Sequence, residues 1–333
     1  MFWVPRRHVV ACALAIGVTA AAVGLYAQSR FDVYLLAVDE KGHAVTDLKA
    51  SELRFQENEK EGTVVNLERY RWPAKVTVLV DNGTGGASGR GTRMADPGNE
   101  RNCGFDNLVH YRNGLKRLFD TLPADVETTL IAMAPNPRYL VRPTTDPVQI
   151  QKGVNLLVPD HDFPSRFTDG LTEYAERLDI EFRRLTNEER LPYLPVLVVI
   201  GSTAFDGSQI EKDRVLKMLT SLRNYGVATN FIMVSPCSVS GGFNEGITVQ
   251  IAKEAQRLTA GRYESIAPAA TTRLTTLLGE IGESIAIRHL KQVLQYRVTI
   301  ERPDGATGPM QNGGLGLSRA GVRYLMSPNG SFP

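Results

Sequence analysis

Cysteine is scarce in this chain, with three residues in 333, and histidine numbers five. That excludes a disulfide-dense scaffold and a zinc cluster built on several thiolates. Net charge is almost absent at +2. Arg6 and Arg7 account for both units, because the first 27 residues contain no acid. The remainder is near neutral, which argues against a nucleic-acid or anionic-membrane partner. No Gly-x-Ser-x-Gly elbow occurs, so the nucleophile of a hydrolase lacks its usual setting. No internal repeat and no long low-complexity tract are present.

What is there begins with a leader. Arg6, Arg7 and His8 precede an apolar run from Val9 to Leu25, followed by Tyr26-Ala27-Gln28-Ser29. A basic start, an apolar middle and a small residue before a polar one describe a secretory signal peptide cleaved near Ala27. An uncleaved anchor is the competing reading, but the run is short of the ~20 residues a full span needs. The expected location is therefore secreted or periplasmic. Cys12 lies inside the leader, leaving Cys103 and Cys237. Both follow apolar strand-like runs, and in an oxidising compartment two such thiols are expected to pair.

Residues 28–72 read as a small N-terminal β segment. Phe31–Val38, Leu53–Gln56 and Val64–Leu67 are short runs rich in apolar and β-branched residues. Such a unit is too small to stand alone. From Val76 onward buried strands alternate with helical periodicity. Val76–Val80, Val126–Ala134, Val196–Ile200, Val227–Val234 and Gly261–Glu264 read as strands. Phe105–Leu122, Pro147–Leu157, Asp169–Leu185, Gln209–Tyr225, Ile247–Leu258 and Thr272–Leu290 read as helices. That alternation predicts an α/β domain over 73–290, with a mainly parallel sheet and helices on both faces. Tyr139–Val141, after the Pro135-Asn-Pro137 turn, predicts one antiparallel edge. In the C-terminal segment 291–333, Gln295–Glu301 and Val322–Met326 read as strands around a Gly- and Pro-rich loop, Pro303 to Gly316. They are expected to pair with 28–72.

The chemically loaded stretch is Val76-Thr-Val-Leu-Val80-Asp81-Asn-Gly83-Thr-Gly85. Its strand has too little polar alternation for an exposed face, so it is expected to be buried on both sides. An Asp at the carboxyl end of such a strand stands where open α/β sheets place ligands. The loop from Asn82 to Gly104 is longer than the ~12–15 residues usual for a structureless connection. Thr84, Ser88, Arg90, Arg93 and Asp206 are candidate contacts of a binding face built from these loops.

These elements, in this order, resemble the von Willebrand factor type A-related exported proteins of acidobacteria. Val38-Asp-Glu-Lys-Gly42-His-Ala-Val45-Thr-Asp-Leu48, Asp81 with its strand, Gly226–Val234, Leu258-Thr-Ala-Gly-Arg-Tyr263 and the last helix running into Gln295-Tyr296 carry the likeness. The resemblance implies a Rossmann-like von Willebrand factor type A domain and a small β domain from both termini. It further implies a metal-ion-dependent adhesion site with the pattern D-x-S-x-S, a Thr from a middle loop and a fourth-strand Asp. Asp81 matches the first acid. Gly83 and Gly85 stand at the two Ser positions, Thr168 at the Thr, and Ser202 at the second acid. Mg²⁺ dehydrates reluctantly and wants an octahedron of oxygens, so this set implies a degenerate site. Asp81 is expected to bond loop amides at the strand end, with no cofactor needed.

The implied function is an exported, non-enzymatic module that binds a protein or envelope component. Two alternatives stay open. Thr84, Ser88, Ser202 and Asp206 could rebuild a Mg²⁺-dependent adhesion site if the loop rearranged. The Gly-rich loop 83–91 also matches the T-G-x-x-x-G-x-G pattern of short-chain dehydrogenases, which implies a nucleotide-binding enzyme. Against the latter, no Tyr-x-x-x-Lys pair occurs, and Asp96-Pro-Gly-Asn99 prevents a helix opening on the last Gly.

Overall fold

The computed structural model describes residues 30–83, 108–160, 163–184, 193–203, 206–209, 211–234, 246–259, 261–267, 270–303, 306 and 312–327. The leader, the loop residues Thr84, Ser88, Arg90 and Arg93, Cys103 and Cys237 lie outside them. The chain divides into two compact units, one spanning Trp72–Leu290 and the other taking both flanking segments.

The larger unit holds a six-stranded sheet. Its strands are β4 (Ala74–Val80), β5 (Glu127–Ala132), β6 (Arg138–Thr144), β7 (Leu194–Ser202), β8 (Ala228–Val234) and β9 (Arg262–Ile266), in the order β6-β5-β4-β7-β8-β9. All pairs are parallel except β5 with β6. The exception has a local cause. Parallel neighbours need a crossover of a dozen or more residues, and the turn around Pro135-Asn-Pro137 is too short for one. β7 is buried at every position, as a central strand covered on both faces must be.

Among the described residues five helices connect these strands, α1 (Leu108–Thr121), α2 (Pro147–Asn155), α3 (Phe167–Phe182), α4 (Lys212–Asn224) and α5 (Ile247–Leu258), and α6 (Arg273–Val293) follows β9. α2 starts on a local signal: the Asp146 carboxylate accepts from the Val148 amide at 2.9 Å, with Pro147 at the first helical position. α4 is followed by Gly226 at φ +63°, a backbone angle that favours glycine. Against one face of the sheet α3 buries Phe167 and Leu171 on Leu197, Phe231 and Met233. Gly170 lets α3 approach closely, since a Cβ there would lie 2.7 Å from Met133 Sδ. Among the described residues no helix is long and apolar enough to cross a membrane.

The other unit is an antiparallel sheet of β1 (Arg30–Asp39), β2 (Leu53–Glu57), β3 (Lys60–Tyr70), β10 (Gln295–Glu301), β11 (Gly313–Leu317) and β12 (Val322–Ser327). The order is β11-β2-β3-β10-β1-β12, so strands from the two ends of the chain interleave. Leu35, Phe55, Tyr296, Val298, Ile300 and Leu315 form its core. Glu57 and Arg302 are both buried and form a two-pronged ion pair, at 2.6 and 2.8 Å. β11 corrects the sequence reading, which placed Gly313–Gly316 in a loop. Glycine weakens a strand, but Leu315 enters the core and all five residues pair with β2.

Candidate functional site

The strand order reverses beside β4: β5 lies on one side and β7 on the other. Open α/β sheets present a crevice at the carboxyl ends of strands flanking such a reversal. Asp81 follows β4 directly, and its amide continues the ladder to Ile200 O at 2.8 Å. Its carboxylate is buried. Oδ1 accepts from the Gly83 amide and Oδ2 from the Ser202 amide, each at 3.2 Å. Burial pushes its pKa up to about 6. The Ser165 hydroxyl and the two amides act the other way, and the nearby charge of Asp206 adds to the rise. Ser165 Oγ is buried beside this carboxylate and makes no hydrogen bond of good geometry among the described residues.

Asn82 secures the loop. Its Oδ1 accepts from the Ala134 amide at 3.0 Å, and its Nδ2 donates to Val158 O at 3.0 Å. Its own carbonyl accepts from the Asp160 amide at 2.8 Å. One buried amide side chain thus ties the end of β4 to the end of β5 and to the connection between α2 and α3. Sequence reading missed Asn82; its place directly after a strand-end Asp was the only local signal.

Thr168 and Asp206 need correction. Thr168 is not in a middle loop but in the first turn of α3, which begins at Phe167. Its amide and hydroxyl both donate to Asp206 Oδ2, at 3.0 and 2.6 Å. Asp206 Oδ1 accepts from the Ser208 amide at 3.0 Å and the Ser208 hydroxyl at 2.6 Å. Ser208 Oγ in turn accepts from the Asp169 amide at 3.1 Å. α3 has no side-chain cap of its own, because Arg166 stands at that position. Residues 206–208 supply the missing cap from another part of the chain, placing an anion at a helix N-terminus where the dipole favours it. A second carboxylate, that of Asp206, therefore stands near Asp81. Ser202, at the end of β7, serves Asp81 through its backbone amide.

The two loops are stitched together. The Gly207 amide donates to Ser165 O at 2.9 Å, and Arg166 Nη1 donates to Gly207 O at 2.6 Å. The structure thus gathers Asp81, Ser165, Thr168, Ser202 and Asp206 at one end of the sheet. Among the described residues no group of three His, Cys, Asp or Glu side chains is placed to hold a metal ion.

No family model matches the chain, and no curated protein matches it. Solved structures similar to it include von Willebrand factor type A domains. The VWA domain of SpRpn10 is 13% identical over 62% of this chain and 97% of that one, with a TM-score of 0.41. BatB of Bacteroides thetaiotaomicron is 13% identical over 62% and 99%, with a TM-score of 0.38. A von Willebrand factor type A protein of Catenulispora acidiphila is 10% identical over 90% and 74%, with a TM-score of 0.44.

Proposed function

We propose that this is an exported, non-enzymatic protein-binding module of the adhesion or scaffold type. The loops at the carboxyl ends of β4 and β7 form its binding face, with a partner protein or envelope component on the other side. One observation carries the reading: the buried polar cluster around Asp81 lies beside exposed apolar side chains on the same rim. Val158, whose carbonyl holds Asn82, is 45% exposed, and Phe163, next to Pro164 over Gly83, is 43% exposed. Aromatic and aliphatic groups around a rigid polar centre are what a protein interface uses as anchors. The step from this fold to binding is analogy, and the rim side chains are what make it testable. The acid cluster, in this reading, is the remnant of a metal-ion-dependent adhesion site.

The test is capture from envelope extract by the immobilised chain, compared with a Val158→Asp, Phe163→Asp variant. Both residues are exposed, so the variant is expected to keep the wild-type melting temperature while losing one defined set of captured proteins. Capture unchanged by the variant would move the binding face elsewhere. Export is tested by sequencing the N-terminus of the protein isolated from its host, with the expected start at Gln28.

A further inference from the structure

Resting on the protein-binding reading, we infer that this face recognises its partner without a divalent cation, because the chain's own atoms occupy the place and the donors such an ion would need. Three observations carry this. The first is the space at position 83. A Cβ built on Gly83 would lie 2.4 Å from Pro164 O, 2.6 Å from Pro164 C and 2.7 Å from Ser165 N. The obstacle is backbone, which cannot swing aside as the end of a side chain can. No side chain fits at 83, so no hydroxyl can be delivered from there.

The second is the use of Asp206. Four donors from Thr168 and Ser208 approach its two oxygens. An ionised carboxylate has about four lone-pair sites. A cation could claim one only by breaking a bond that caps α3. The hydroxyl hydrogen of Thr168 is committed to the same carboxylate.

The third is what holds the loops. An ion in such a crevice would draw the ends of β4, β7 and the segment before α3 together. Here Asn82 joins the β4 end to Ala134, Val158 and Asp160. The pairing of Ser165 with Gly207, and of Asp206 with Thr168, joins the other two. Asp81 adds the Ser202 amide. After these bonds two buried donors of the cluster, the Ser165 hydroxyl and Arg166 Nε, lack a hydrogen bond of good geometry among the described residues, and of the two only the hydroxyl has a lone pair to offer a cation. A single hydroxyl beside a committed carboxylate does not replace the water shell of Mg²⁺, which demands near-octahedral oxygens and dehydrates reluctantly.

The decisive experiment titrates the full chain into Mn²⁺ and follows the spectrum of the free ion by electron paramagnetic resonance. The free-ion signal is expected to persist, and the melting temperature to be the same in EDTA and in millimolar Mg²⁺. A cation held at a hundred times its Kd would instead raise the melting temperature by roughly 5–10 °C. Stoichiometric loss of the Mn²⁺ signal, restored by Ser165→Ala, would overturn the inference. Gly83→Ser adds a second arm. A lowered melting temperature with no Mn²⁺ capture supports a filled seat; an unchanged melting temperature with Mn²⁺ capture overturns it. Partner capture separates the two claims. Proteins captured equally in EDTA and in Mg²⁺ support cation independence, and capture in Mg²⁺ alone overturns it while leaving the protein-binding reading intact. Capture that ignores the Val158 and Phe163 changes removes that reading, and the Mn²⁺ titration still stands by itself.

Discussion

The backbone amide and the hydroxyl of Thr168 both donate to one oxygen of Asp206, at 3.0 and 2.6 Å. Two residues 38 positions apart thereby fix the start of α3 and the position of the Asp206 carboxylate.

Asp206→Ala removes the acceptor for four donors and uncaps α3. The expected loss is about 2–4 kcal/mol, combining a helix cap with hydrogen bonds to a charged group. Asp206→Asn, which keeps one acceptor oxygen, should lose about half as much. Calorimetric melting of the three proteins checks the order; equal melting temperatures would contradict the capping role.

Asp81 should make stability fall as pH rises. Its carboxyl titrates at about 6 when folded against an ordinary value of 3.8, so the folded state holds the proton more tightly. Where the folded chain binds more protons than the unfolded one, stability decreases with pH. Between about pH 4 and 6 the contribution amounts to about 3 kcal/mol. Asp81→Asn should remove this slope and match or exceed wild type at pH 7. Denaturant midpoints of both proteins from pH 4 to 7 decide it, and parallel curves would refute the buried-acid account.

Phe167→Ala should destabilise by about 3–5 kcal/mol, because a fully buried ring leaves a cavity. The ring packs near Phe231, with centroids 6.3 Å apart, and a Cβ on Gly201 would lie 2.9 Å from it. Since Phe167 adjoins Thr168, capture of a partner should weaken together with stability. Urea denaturation and capture measured on the same sample test both halves.

Removing one partner of the Glu57–Arg302 pair leaves a buried charge, at a cost of about 3–5 kcal/mol. Replacing both, as Glu57→Leu with Arg302→Met, should recover most of that loss. A double-mutant cycle by chemical denaturation gives the coupling; strictly additive losses would show that the two side chains act independently.

Several parts of this fold were legible in the residues. Val76–Val80 and Val196–Ile200 are apolar runs without alternation, and both are buried parallel strands. The Pro135-Asn-Pro137 turn announces the antiparallel edge. Other parts had no local signal. β11 is three glycines and two leucines, and it is a strand because β2 offers it an edge. Counting from the strand end points to Ser202, whereas the carboxylate near Asp81 is that of Asp206, held by Thr168 and Ser208. Ser165 was missed because its burial beside Asp81 depends on pairing with Gly207, a contact between distant segments.

Short-range chemistry determined the elements: β-branched runs resist helix, an Asp–Pro pair opens α2, and a glycine closes α4. Which side chains meet at the crevice was decided only by tertiary structure. A hydrogen-bonding residue has no preferred partner until backbone segments far apart in the chain are brought within 3 Å, and nothing in local propensity encodes that meeting.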